Sequence, residues 1–181
     1  MGITFRGRDA TRESPDGSCQ MVRIGDITDD GELATLDFPR FEPADFPRPE
    51  LFLRPGDVLF PNRGTRTTAH ALTVDQPGLV AGAQFYILRP RAEAALPAYV
   101  AWFLRTPAAA RHFSTRRKGS LVQTVERADI AGLELPLPPL DRQAAIVALD
   151  RLAARERALT ANLVELRTLL LQNRLLQAAA S

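Results

Sequence analysis

The spacing of apolar residues changes twice along this chain, and each change marks a new kind of element. From Met21 the run MVRIGDIT alternates apolar and polar residues, the period of a half-buried strand. Asp29, Asp30 and Gly31 then supply turn chemistry. Residues 38–55, FPRFEPADFPRPELFLRP, hold too much proline for a helix or a central strand. They are expected to form an extended connection that tucks Phe38, Phe41 and Phe46 into the core. Pro55-Gly56 predicts a type II turn with positive φ at Gly56. A short buried strand over 57–60 and a turn at Asn62-Arg63-Gly64 follow. The runs TRTTAHALTV (65–74) and LVAGAQFYILRP (79–90) predict two strands joined by a Pro77-Gly78 turn.

The period lengthens at Pro97. PAYVAWFL places Val100, Phe103 and Leu104 on one helical face, with Pro97 at the first helical position. Thr106-Pro107 predicts a capped second helix ending at Phe113. Then come a basic loop STRRKGS (114–120), a strand SLVQTV (120–125), one helical turn over 127–130 and a last strand over 133–137. Pro136, Pro138 and Pro139 stop this unit, because proline lacks an N–H and clashes with the preceding turn. Asp141 offers an N-cap carboxylate, and neither Pro nor Gly occurs after it.

Beyond that stop, Leu149, Leu152, Leu159, Leu163, Leu166 and Leu170, with Glu156 between Leu152 and Leu159, recur in alternating steps of three and four. Glu156 and Asn173 are polar members of the same seam. The whole predicts an α+β fold: a β-rich domain over 1–139, then a long coiled-coil-forming α-helix over 140–181. A helix of about 36 residues is roughly 54 Å long at 1.5 Å per residue. Amphipathic helices commonly pack on their own domain, but this stripe outruns so small a domain. A polar residue such as Asn173 in a seam fixes register and partner number. An intermolecular partner is expected.

Composition narrows the chemistry. A chain of 181 residues fits one globular domain and an appendage. The single cysteine, Cys19, excludes an internal disulfide, and the two histidines, His70 and His112, lie far apart in sequence. No Cys/His metal cluster and no cofactor motif is present. No opening segment resembles a signal peptide and no apolar run approaches the roughly 20 residues that span a bilayer. A cytoplasmic protein without a membrane partner is expected. The formal charge is +2 and the pI about 9.2. Lys118 is the sole lysine, so nearly all cations are arginine. GC-rich coding produces that bias, and the guanidinium also suits phosphate and guanine.

Two loops are candidates for ligand contact. Asn62, Arg63, Gly64, Thr65, Arg66, Thr67 and Thr68 follow a buried strand, and Gly64 permits close backbone approach. Arg116, Arg117, Lys118, Gly119 and Ser120 form the densest positive charge. Gln84 and Gln123 have the amide geometry that reads adenine. Each has a plainer reading: a hairpin turn, a solvated loop, amides paired with backbone. Trp102 and Phe103 sit at helical spacing and read as core. There is no Walker-type phosphate loop, nucleophile elbow or HExxH zinc motif. LPPL at 137–140 lacks the Asn or Asp and the aromatic of an NPPY-type methyltransferase motif. Lys118 has no acid two residues before it, as a nuclease centre needs. The residues describe a binding protein, not an enzyme.

Taken in order, these pieces resemble the specificity subunit of type I restriction–modification systems. VRIGDITDDGEL (22–33), LRPGDVLFPNRG (53–64) and LPAYVAWFL (96–104) are similar to family elements, and LELPLPPLDRQAAIVALD (133–150) resembles the family junction. Arg142 departs from the Glu that usually precedes Gln143; Asp141, one place earlier, is expected to take its capping role. The resemblance implies a target-recognition domain reading one half of a bipartite site in double-stranded DNA. It also implies a helix that spaces such domains and docks methyltransferase subunits. Methylation and cleavage then belong to partner methyltransferase and restriction subunits.

Family members usually carry two domains and two helices, whereas this chain shows one of each. The expected assembly is a homodimer through the helix, or a pairing with another chain that supplies the second half. The expected DNA contacts are Asn62, Arg63, Gly64, Arg66, Thr67, Thr68, Gln84, Arg116, Arg117, Lys118, Ser120 and Gln123. Family recognition residues vary with the target, so this set rests on the residues alone. The alternative is a scaffold or regulatory coiled-coil protein that has lost DNA recognition.

Overall fold

The computed structural model describes residues 14–43, 45–116 and 123–179. Six strands run β1 (Cys19–Val22), β2 (Arg40–Phe41), β3 (Val58–Pro61), β4 (His70–Ala71), β5 (Leu79–Ala81) and β6 (Phe85–Leu88) among the described residues. Helices α1 (Pro97–Arg105), α2 (Pro107–Ser114), α3 (Arg127–Ala131) and α4 (Leu140–Ala179) follow. The chain divides into two compact units, Met1–Ala144 and Ala145–Ser181.

Strand β3 is the axis of the first unit because it is buried on both faces. Its side chains alternate as a strand requires. Val58 and Phe60 join Val100, Phe103 and Leu104 of α1 and Ala109 and Phe113 of α2. Leu59 joins Val22, Phe38, Leu53, Leu72, Leu79 and Phe85 on the other side. Fully burying one such side chain contributes roughly 1.5–3 kcal/mol. Around β3, one antiparallel sheet has the order β4-β3-β6; the other has the order β2-β1-β5, with β1 and β5 parallel. Gly56 takes the positive φ of +92° expected of its turn.

Proline keeps residues 45–57 out of the named strands; Phe52 bridges Val80 and Leu53 N donates to Leu79 O at 2.8 Å, and side chains add further ties. Buried Asp57 accepts from Arg89 Nε at 2.8 Å and from Arg54 N at 3.1 Å. Arg89 Nη2 also donates to the carbonyls of Glu50 (2.9 Å) and Phe52 (3.2 Å). One guanidinium therefore clamps the connection onto the end of β6.

Several elements differ from the sequence expectation, each for a local reason. The expected strand from Met21 ends at Val22, because Asp26 Oδ2 accepts from Arg23 N at 2.7 Å and closes a 3-10 turn over Ile24–Asp26. The runs at 65–74 and 79–90 do not form a hairpin. β4 pairs with β3 and β5 with β1, while a corner at Gly82–Gln84 divides β5 from β6. Phe46 is 66% exposed, its ring lying 5.5 Å from Phe52 instead of in the core. Residues 133–137 make no strand; Tyr99 holds them by donating its hydroxyl to Pro136 O at 2.8 Å. The strand expected over 120–125 is represented, among described residues, by one bridge between Arg63 and Thr124. Helix α4 starts at Leu140, which puts Asp141 in its first turn and not at its cap.

The start of α4 is fastened by a residue of the opposite character to a core residue. Gln143 is completely buried. Its Oε1 accepts from Leu96 N at 2.8 Å, and its Nε2 donates to Ala94 O at 2.9 Å and Pro138 O at 2.8 Å. A buried amide is tolerated only when paired, and this one pairs with three backbone groups that have no ladder partner. Gln143→Ala is expected to lower unfolding stability by about 3 kcal/mol, near 1 kcal/mol for each lost bond. Urea unfolding measures this, and a loss below about 1 kcal/mol would show that the amide is not the fastening.

Candidate nucleic-acid interface

Where β3 ends, the chain delivers Asn62, Arg63 and Gly64 into a backbone clamp. Asn62 N donates to Gln84 O at 2.8 Å and Gly64 N to Gln123 O at 2.8 Å. Val125 N returns a bond to Asn62 O at 3.0 Å. Tyr86 on β6 donates its hydroxyl to Val125 O at 2.9 Å, which ties the 123–125 segment to the sheet. Burial pushes the Tyr86 phenol above its usual range, so it stays a donor. Three stretches remote in sequence thus form one patch, and Arg63, Gln84 and Gln123 are its exposed members. Gly64 has φ +82° and open space where a Cβ would stand, which leaves the backbone accessible.

The other expected contact residues divide by burial. Asn62 is buried and donates Nδ2 to Ala83 O at 2.9 Å. Thr68 is buried as well, and Thr67 half-buried. Arg66 Nη2 reaches Asp29 Oδ1 at 2.9 Å and Ile27 O at 2.8 Å, bracing the turn after β1. In this conformation Asn62, Arg66 and Thr68 are drawn into the fold, while Arg63, Gln84 and Gln123 stay exposed.

Arg116 is exposed at the end of α2, where its Nη1 donates to His112 O at 3.1 Å. The ring of Phe113 lies 4.9 Å from that of Phe60, which seats the end of α2 beside the end of β3. Arg116 and Arg63 therefore each follow one of these stacked phenylalanines by three residues. Arg117, Lys118 and Ser120 lie outside the described residues. Gln143 escaped the residue-level reading; its place in the junction motif was visible, but a helix-surface Gln gives no sequence signal of complete burial.

On α4, Leu149, Leu152, Leu159, Leu163, Leu166 and Leu170 are all exposed, from 47% at Leu163 to 67% at Leu149. Asn173 is exposed with them. In the first unit a groove of about 970 Å³ runs between β6, α3 and residues 135–137, with Leu88, Ile130, Leu135 and Leu137 among its apolar lining and Arg89, Arg91 and Arg127 beside them. Among the described residues no three His, Cys, Asp or Glu side chains are placed to hold a metal ion, and no helix is long and apolar enough to cross a membrane.

Comparison with known proteins places this geometry. The chain superimposes on the HsdS subunit from Thermoanaerobacter tengcongensis with a TM-score of 0.61 at 22% identity, over 87% of this chain and 41% of that one. The fold is that of HsdS. A second match has a TM-score of 0.56 at 22% identity, over 93% of this chain and 42% of the other. It comes from work on complex assembly and conformational transition of the type I R-M system. The chain spans about two fifths of the length of each of these two matched chains. No family model and no curated protein sequence matches it.

One titratable group sits behind the candidate loop. His70 is buried on β4, and its Nδ1 faces Gly31 O at 2.9 Å, so the carbonyl requires the proton on Nδ1. Burial holds its pKa below the ordinary 6.5, outweighing the pull of the Gly31 carbonyl. The unfolded chain then binds more protons than the folded one as pH falls below that value, so the folded state loses stability on acidification. The drop in melting temperature between pH 7 and pH 5 is expected to be smaller in His70→Gln than in the parent protein. Equal drops would show that His70 does not carry this pH dependence.

Proposed function

We propose that this chain is the DNA-reading subunit of a type I restriction–modification system. In this reading residues 1–139 bind one half of a bipartite site in duplex DNA. The helix over 140–181 joins two copies and docks the methyltransferase and restriction subunits that perform the chemistry. The observation that carries the proposal is the exposed patch of Arg63, Gln84 and Gln123 on an HsdS fold. The patch joins the two kinds of side chain that such reading needs. A guanidinium binds phosphate or guanine through two parallel bonds. A primary amide presents a donor and an acceptor together, which matches the major-groove edge of adenine. Arg116, with Arg117 and Lys118 following it, supplies phosphate contacts that position the domain without carrying sequence information.

The division of labour follows from the residues. The chain contributes recognition and spacing, and the exposed leucine seam of α4 supports assembly through that helix. Two copies related by a two-fold axis present two identical readers, so the bound site is palindromic with a fixed spacer.

The triple variant Arg63→Ala, Arg116→Ala, Arg117→Ala is expected to bind duplex DNA more weakly. The slope of log affinity against log salt should shrink by roughly 0.9 for each phosphate contact removed. Fluorescence anisotropy on labelled duplex at several salt concentrations measures both. Unchanged affinity and slope would overturn the assignment and favour the scaffold reading.

A further inference from the structure

Strand β6 leaves one of its edges unpaired. It stands at the margin of its sheet, with β3 as its one neighbouring strand among the described residues. Antiparallel pairing turns the backbone groups of alternate residues towards the neighbour. Val58 and Phe60 lie opposite Leu88 and Tyr86, and Asn62 N donates to Gln84 O at 2.8 Å. On the far side of β3, Leu72 N donates to Asp57 O at 2.8 Å, so Asp57 and Leu59 turn towards β4. Gln84, Tyr86 and Leu88 therefore direct their backbone groups to β3, and Ile87 turns its N–H and C=O away from the sheet. The run FYIL (85–88) contains neither a charge nor a proline, two devices by which edges are guarded. Arg89 follows it, but its guanidinium is taken up by Asp57 and by the carbonyls of Glu50 and Phe52.

The groove of about 970 Å³ lies along this edge. Residues 86–91 line it continuously, together with Ile130, Leu135 and Leu137. Tyr86, Leu88, Ile130 and Leu135 all pack on the core of β3 and α1, so they share one face of the sheet. Arg91 and Arg127 also line the groove; both are exposed, and neither forms an ion pair with a described residue. No Asp or Glu lines it among the described residues. The charge of Arg127 acts on the Tyr86 phenol, which places it near that end of β6, and Arg91 follows the other end. Glu126 and Asp129 act on the same phenol, but both are engaged in the capping box of α3, where Asp129 Oδ2 accepts from Glu126 N at 2.7 Å.

We infer that β6 takes an extended acidic peptide from a partner protein as an added strand, its carboxylates at Arg91 and Arg127. Alternate apolar side chains of that peptide enter the groove against Leu88, Ile130, Leu135 and Leu137. Its backbone pairs with Ile87, as in other cases where a peptide extends a sheet. A helix bonds its own backbone internally and offers no such row of groups to an edge. A second copy of β6 is a poor occupant, because antiparallel pairing brings Arg91 of one copy towards the partner's Arg127, and like charges repel. A nucleic-acid backbone would meet the arginines but leave the apolar lining without partners. Neither DNA nor a second copy is needed for this contact.

The probe is a synthetic peptide, EVTVTVE with blocked ends and a fluorescent label, titrated with the full-length protein and followed by anisotropy. Saturable binding is expected, with the lysine counterpart KVTVTVK roughly tenfold weaker. Absence of saturable binding, or equal binding of the two peptides, would overturn the proposal. Arg91→Glu alters an exposed side chain; it should weaken EVTVTVE by roughly tenfold and strengthen KVTVTVK. Unchanged affinities would remove the groove from the role assigned to it. Methylating the backbone nitrogens of EVTVTVE at the threonines or at the valines tests strand addition, because only alternate N–H groups face β6. One pattern should abolish binding and the other preserve it. Loss with both, or with neither, would show that the peptide does not bind as a strand. A short duplex should leave the bound peptide in place; its displacement would assign the groove to DNA instead.

Discussion

A single buried amide ties together two stretches of the first unit that have no ladder. The stretch from Ala94 to Leu96 and the proline run at 136–139 have no ladder, and proline denies the latter its own N–H donors. Gln143 bonds both at once, and Tyr99 adds a second tie at Pro136. Because Gln143 lies on the first turn of α4, the bonds that close the domain also fix where the helix begins. No leucine at this position would do the same, since it would bury three backbone groups without partners.

The two units satisfy opposite demands. In the first, β3 is buried on both faces and nearly every large apolar side chain of the strands has a neighbour. Its polar loops are held by backbone bonds from remote stretches, so that a few exposed side chains stand on a rigid base. The proposed DNA-reading role needs such an arrangement, since misplacement of a guanidinium or amide loses the paired bonds that distinguish bases. In the second unit, the leucines of α4 remain exposed along a helix of 40 residues. Helices of this kind draw most of their stability from packing an apolar face, so the seam calls for a partner.

Local chemistry was legible in the sequence and long-range pairing was not. Pro97, Thr106-Pro107 and the proline stop marked the helices to within a residue or two, because caps and proline act on their immediate neighbours. Gly56 announced its turn for the same reason. The pairing of β4 with β3 and of β5 with β1 depends on residues that meet only in the fold, and the corner at Gly82–Gln84 hides inside an unbroken apolar run. The candidate site shows the same divide. Gln84 and Gln123 were identifiable as amides, but their convergence on Asn62–Gly64 depends on the Tyr86–Val125 bond and the Arg63–Thr124 bridge. Asn62 and Thr68 look like loop residues in the sequence, yet both are buried, Asn62 held by bonds to Ala83 O and Gln84 O.

The most direct test of the proposed reading role is selection from a pool of randomised duplexes by the full-length protein, followed by sequencing of the bound fraction. Two identical readers at a fixed separation predict enrichment of a palindromic motif in two parts with a constant spacer. A bound fraction indistinguishable from the input pool would contradict the account.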